Sequence, residues 1–186
     1  MPSIENAKIL IISADGFEQS ELEHPRDALR NHGATVHVAT PDGEEVQGWN
    51  QDDWGQTASA DLKLADVNVD DYDALVLPGG QINPDVLRAN ADAVDLIRRF
   101  GTSGKTIAAI CHAPWLLIEA ELIKGRKATS FNSIQTDMKN AGALWEDSEV
   151  VVDQGIVTSR SPKDLEAFVA KIVEEIEEGK HNRAAA

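Results

Sequence analysis

Apolar residues along this chain occur as short uninterrupted blocks and as spaced stripes, and the two kinds alternate from one end to the other. Residues 8–13 (Lys-Ile-Leu-Ile-Ile-Ser) form a block bounded by Ala14-Asp15-Gly16, which predicts a strand covered on both faces. Over residues 19–31, Leu22, Ala28 and Leu29 recur among charges at helical spacing, and His32-Gly33 closes the pattern. Residues 35–40 predict a second strand, stopped by Pro41-Asp42-Gly43. Residues 44–64, with Trp49 and Trp54 among Gly and Asp, predict a hairpin or an excursion from the main pattern. A strand at 74–77 ends at Pro78-Gly79-Gly80, and 91–100 carries Ala93, Val94, Leu96, Ile97 and Phe100 on one helical face. A strand at 106–110 runs into a helix at 113–120. A helix near 134–141, a strand pair at 150–152 and 156–159, and a helix from 162 to about 178 follow. Ser161 and Pro162 read as the N-cap and first residue of that last helix, and 181–186 as a frayed tail.

Repeated strand–helix units with short connections predict one α/β domain over residues 1–186, a mainly parallel sheet with helices on both sides. No internal repeat or linker divides it. In such sheets ligands bind beyond the carboxyl ends of the strands. Three segments fall there: Asp15-Gly16-Phe17-Glu18, Pro78-Gly79-Gly80 and Cys111-His112.

Composition narrows the classes. Apolar residues make up 42% and charged residues 26%, values of a globular protein, and no apolar run approaches the roughly 20 residues needed to cross a bilayer. The first apolar block is too short for a secretion signal, so a cytoplasmic protein without membrane contact is expected. With 32 acidic against 17 basic residues the formal charge is -15, a field that repels phosphate backbones and argues against direct nucleic acid contact. A single cysteine excludes an intrachain disulfide and a multi-cysteine metal site. His24, His32, His37, His112 and His181 show no ligand spacing; no metal and no cofactor are expected.

The chemistry centres on Cys111. Ala109-x-Cys111-x-Ala113 repeats the small-x-nucleophile-x-small form of a nucleophile elbow, with alanines where glycines usually stand. A thiol at a helix N-terminus meets the positive end of the helix dipole, which favours the thiolate, the species that attacks carbonyls and that peroxide oxidises. His112 is a candidate general base, although neighbours in sequence can diverge at a sharp turn. Glu18 follows the first strand and, if protonated, would donate to the thiolate. Gly79-Gly80 offers amides for a developing oxyanion.

These segments resemble the ThiJ/PfpI superfamily, most closely its PfpI (intracellular protease I) branch, over nearly the whole chain. The resemblance is carried by residues 15–22 (Asp-Gly-Phe-Glu-Gln-Ser-Glu-Leu), 73–80 (Asp-Ala-Leu-Val-Leu-Pro-Gly-Gly) and 108–114 (Ala-Ala-Ile-Cys-His-Ala-Pro). Residues 125–130 and 159–165 fit the C-terminal portion. It implies a flavodoxin-like, class I glutamine amidotransferase-like three-layer sandwich, assembled as homodimers or as higher oligomers such as hexamers. It implies Cys111 as nucleophile with His112 beside it, Glu18 in contact with the sulfur, and an oxyanion hole at the backbone of Gly80 and His112. In this branch a glutamate after the double glycine reaches the cysteine–histidine pair of a neighbouring subunit; Asp85 is the candidate here. Phe131 stands where relatives often carry tyrosine, and His24 replaces an aromatic residue, with its side chain expected in the crevice.

Two functions compete. In the first, a stress-response protein acts as a cysteine-dependent hydrolase on peptides, on glyoxal or methylglyoxal adducts of proteins, or on the free small aldehydes. In the second, Cys111 is oxidised to sulfenic or sulfinic acid in a non-enzymatic redox sensor or chaperone-like protein. A glutaminase subunit would need a distal His-x-Glu, and no histidine lies between Phe131 and His181.

Overall fold

The computed structural model describes residues 2–183. In chain order its elements are β1 (Lys8–Ile12), β2 (Phe17–Glu18), α1 (Gln19–Asn31), β3 (Thr35–Thr40), β4 (Val46–Asn50) and β5 (Asp53–Ala58). There follow β6 (Leu62–Lys63), β7 (Ala74–Leu77), α2 (Ile82–Arg88), α3 (Ala91–Ser103), β8 (Thr106–Ile110) and α4 (Pro114–Glu119). The chain continues through β9 (Lys127–Ala128), α5 (Gln135–Asn140), β10 (Leu144–Trp145), β11 (Val150–Asp153), β12 (Ile156–Ser159) and α6 (Leu165–Glu178).

A seven-stranded sheet has the order β11-β12-β8-β7-β1-β3-β6, parallel except for the antiparallel β11–β12 pair. Alternate residues of the same strands feed two separate cores. Leu10, Ile12, Leu75, Leu77, Ile107 and Ala109 pack with α3 and α4, while Ile9, Ile11, Ala74, Val76, Ala108 and Ile110 pack with α1 and α6. Burial on both faces is why these strands are unbroken apolar blocks. The expected three-layer sandwich is thus present. Residues 44–64 do hold a hairpin: β4 and β5 pair antiparallel, Trp49 meets Trp54 edge to face at 5.4 Å, and β2 joins β4 in parallel.

Register places the site. Leu77 stands opposite Ala109, and Ser159 opposite Ile110, so the carboxyl ends of β7, β8 and β12 finish nearly level. The segments beyond them, Gly79-Gly80 and Cys111-His112, meet past the carboxyl end of the sheet's central strands.

Three local expectations change. Helix α2 was not visible in the apolar pattern, because it is short and leaves Ile82 and Val86 exposed while burying Asn83. Pro162 lies in a 3-10 turn (Pro162–Asp164) ahead of α6, and the Ser161 side chain makes no capping bond; Asp164 instead binds Arg160 at 2.9 Å. The tail is tied down as far as Arg183. His181 donates its amide to Gly104 O at 2.8 Å, and the Arg183 guanidinium donates to the carbonyls of Phe100, Gly101, Lys105, Gln154 and Gly155. Residues 184–186 lie outside the described residues. Removing this charged fork leaves several carbonyls without donors, so Arg183→Ala is expected to lower stability by about 2–3 kcal/mol, read from urea midpoints. An unchanged midpoint would mean that the tail contributes nothing to the fold.

Candidate active site

β8 ends at Ile110, and the next residue turns the chain sharply: Cys111 has φ 65°, the left-handed region that a side chain disfavours. The strain costs on the order of 1–2 kcal/mol and persists because hydrogen bonds fix both sides of the turn. Cys111 N donates to Ser159 O at 3.0 Å, Ala113 N to Ile110 O at 3.0 Å, and Phe131 N to Cys111 O at 2.8 Å. Ala109 and Ala113 are fully buried on either side, where larger residues would not fit, and Pro114 opens α4. This is the elbow expected from the sequence.

The double glycine supplies the opposite wall. A side chain at Gly79 would strike Glu21, Cys111 Cβ and the Ile110 carbonyl; one at Gly80, with φ 80°, would strike the backbone of Gly16 and Glu18. That closeness brings the Gly80 amide, together with that of His112, within hydrogen-bonding reach of the sulfur. Buried Asn83, which belongs to none of the sequence motifs, holds this wall to the turn that follows β1. Its Oδ1 accepts from Ala14 N at 2.7 Å, and its Nδ2 donates to Pro78 O at 2.9 Å.

The carboxyl group at the sulfur is Glu21 and not Glu18. Glu18 ends β2 ahead of the helix, half-buried, and accepts from Ser20 Oγ at 3.4 Å. Glu21 lies within the first turn of α1, on the inward stripe with Leu22, Pro25 and Leu29, and is fully buried against Cys111. A carboxylate on that stripe was the signal available in the sequence. Gly79 N donates to its Oε2 at 3.0 Å, while Oε1 has no partner among the described residues. Burial, and then the charge of Glu18, push its pKa up to about 8, so the carboxyl keeps its proton at neutral pH.

The thiol is not the thiolate that helix position suggested. Its residue is 6% exposed, and burial, followed by the charge of Glu21 when ionised, raises its pKa. The Gly80 and His112 amides offset only part of that. Proton retention by Glu21 removes the repulsion and leaves a donor facing the sulfur.

His112 does turn toward its neighbour. Its Nδ1 is 3.2 Å from Cys111 Sγ and its Nε2 is 3.1 Å from Ser133 Oγ. Phe131 stacks on the ring at 4.7 Å and Trp115 meets it edge-on at 5.2 Å. Burial lowers the imidazole pKa, which leaves it neutral at pH 7 and able to accept a proton. Ser133 belongs to no motif and was not expected from the sequence.

Asp85 is not the third member within the chain. It is exposed on α2 and accepts from Arg88 Nη2 at 2.6 Å and Nε at 2.9 Å, while the Arg88 guanidinium lies 4.4 Å over the Trp115 ring. His24 does not face the crevice; it pairs with Glu166 on α6 at 3.5 Å. Among the described residues one group can gather three metal ligands: Glu175, Glu178 and His181, within 4.8 Å of one another at the end of α6. That grouping was not expected from histidine spacing, and it includes none of the residues around Cys111. Among the described residues no helix is long and apolar enough to cross a membrane.

Comparison with known proteins bears on this site. The model of the DJ-1/PfpI family matches residues 7–175. Deglycase PfpI of Pyrococcus furiosus is 44% identical over 166 residues, 89% of this chain and 97% of that protein. Protein/nucleic acid deglycase 2 of Escherichia coli is 42% identical over 163 residues, 87% of this chain and 92% of its own length. Among solved structures, Drosophila melanogaster DJ-1beta superposes with a TM-score of 0.83 at 32% identity, covering 93% of this chain and 95% of that one.

Proposed function

The chain belongs to the DJ-1/PfpI family, and from that premise we propose that it is a cysteine-dependent deglycase, removing glyoxal and methylglyoxal adducts from protein amines and thiols. The observation that carries this reading is the Cys111 thiol 3.2 Å from a neutral His112 Nδ1, with the Gly80 and His112 amides and the Glu21 carboxyl around the same sulfur. Sγ replaces the amine or thiol on the adduct carbon that bears it, forming a hemithioacetal, while the sulfur's proton passes to His112 Nδ1. His112 returns the proton to the departing amine or thiol. The hemithioacetal left on Sγ becomes a thioester by moving its carbon-bound hydrogen to the adjacent carbonyl carbon, and water hydrolyses that thioester while the two amides receive the oxyanion. Over the cycle one water is consumed, and the products are the free amine or thiol and a 2-hydroxy acid; for free methylglyoxal the same bookkeeping gives a 2-hydroxy acid alone. The 6% exposure of Cys111 suits a small carbonyl group better than a polypeptide main chain, which favours deglycation over peptidase action.

Purified protein is to be incubated with a methylglyoxal-treated lysine peptide, with casein, and with free methylglyoxal. The expected result is release of hydroxy acid and free amine from the glycated peptide, lost after alkylation of Cys111. Equal release by alkylated and untreated protein would reject the reading.

A second reading is favoured by the buried Glu21. Peroxide oxidation of the thiol gives a sulfinic acid with loss of water at each step, and a protonated carboxyl beside it would hold the product. Mass gain at Cys111 far faster than for a free thiol is expected on that reading, and slow oxidation would set it aside.

A further inference from the structure

A neutral imidazole has one donor and one acceptor, and which nitrogen carries the proton decides what the ring can do. For His112 to take the thiol proton, Nδ1 must present its lone pair to Sγ, so Nε2 must carry the hydrogen and needs an acceptor. Among the described residues Ser133 Oγ, at 3.1 Å, is the partner of Nε2. The aromatic cage cannot make this choice. Phe131 stacks at an interplanar angle of 23° and fixes the ring plane, but a half-turn about Cβ–Cγ keeps that plane while exchanging Nδ1 for a carbon. Besides the contact with Sγ itself, the polar contact at the far edge distinguishes the two placements.

The segment that carries Ser133 is anchored to the nucleophile itself. Ser133 lies in a 3-10 turn (Asn132–Ile134); Ile134 N donates to Phe131 O at 3.2 Å, and Phe131 N to the Cys111 carbonyl at 2.8 Å. Base and orienting group therefore move with the elbow.

We propose that Ser133 is the positioning residue of the base, holding His112 in the Nε2–H form from within the same chain. This inference rests on the hydrolytic reading above. Because the orienting group is a neutral hydroxyl and not a carboxylate, the imidazolium formed during attack gains no ion pair, and the resting pair stays thiol and imidazole.

The test uses the full chain with Ser133→Ala, Ser133→Thr and Ser133→Asp. On the glycated peptide, Ser133→Ala is expected to lower kcat about 5–10-fold with KM within about twofold, and Ser133→Thr to restore it. Ser133→Asp is expected to move the lower limb of the pH–rate profile upward by about one unit, because the new carboxylate stabilises imidazolium. Nitrogen-15 shifts of His112 are expected to report the Nε2–H tautomer in the parent and a mixture in Ser133→Ala. That spectroscopic result needs no turnover, so a parent protein inactive on every substrate would reject the function while the tautomer change still supports the positioning role. Unchanged tautomer and kcat in Ser133→Ala would overturn the inference. So would a loss of the Nε2–H form in Asp85→Asn but not in Ser133→Ala, which would assign the role to an interfacial carboxylate.

Discussion

Cys111→Ala should lose turnover of the glycated peptide by about 10³-fold or more while melting within about 3 °C of the parent. The activity loss follows because Sγ is the one atom of the site that can form the covalent intermediate; the amides of Gly80 and His112 and the ring of His112 remain but have nothing to activate. Stability changes little because a single sulfur leaves a small void. Cys111→Gly separates the two effects further. At φ 65° glycine relieves the left-handed strain, so this equally inactive variant should be about 1 kcal/mol more stable than Cys111→Ala. Residual activity near the parent level in both variants would remove the nucleophile from the scheme.

The second large effect belongs to Glu21. Burial holds its carboxyl at about 8 against the ordinary 4.5. Between those values the folded chain keeps a proton that the unfolded chain has released. Its contribution to stability is therefore complete below about pH 4.5, declines as pH rises through the window, and has vanished above about pH 8. At roughly 1.4 kcal/mol per unit the decline amounts to something on the order of 3–5 kcal/mol. Glu21→Gln keeps an acceptor for Gly79 N and a donor for the sulfur without titrating. The difference in urea midpoint between variant and parent should consequently widen from pH 5 to pH 8.5, in favour of the variant. Parallel curves would mean that Glu21 is already ionised in the folded protein at low pH.

The two-faced sheet was legible because its inner strands feed two cores, and such burial leaves unbroken apolar blocks that need no partner sequence to interpret. Cys111, His112 and the Gly79-Gly80 wall were legible because a strand-to-helix turn leaves a local mark. What escaped notice depended on burial or on distant contacts. Glu21 has the charge of a surface position, although its place four residues before Pro25 and eight before Leu29 sets it on the inward stripe. The thiol's raised pKa reflects desolvation, which a dipole argument omits. Ser133 meets His112 from 21 residues away and carries no periodic or motif signature. The anchored tail was missed for the same reason, since the carbonyls that Arg183 serves belong to three other stretches of chain.

The bond from the Cys111 amide to Ser159 O has a bearing on biosynthesis. β12 is made well after β8 and lies directly beside it, so a nascent chain still lacking residues 156–159 has the cysteine but not the partner that holds its backbone in place. Without those residues the Cys111 amide lacks the acceptor that anchors the left-handed turn. A chain that stops short of residue 156 therefore carries the sulfur without the carbonyl that fixes its turn.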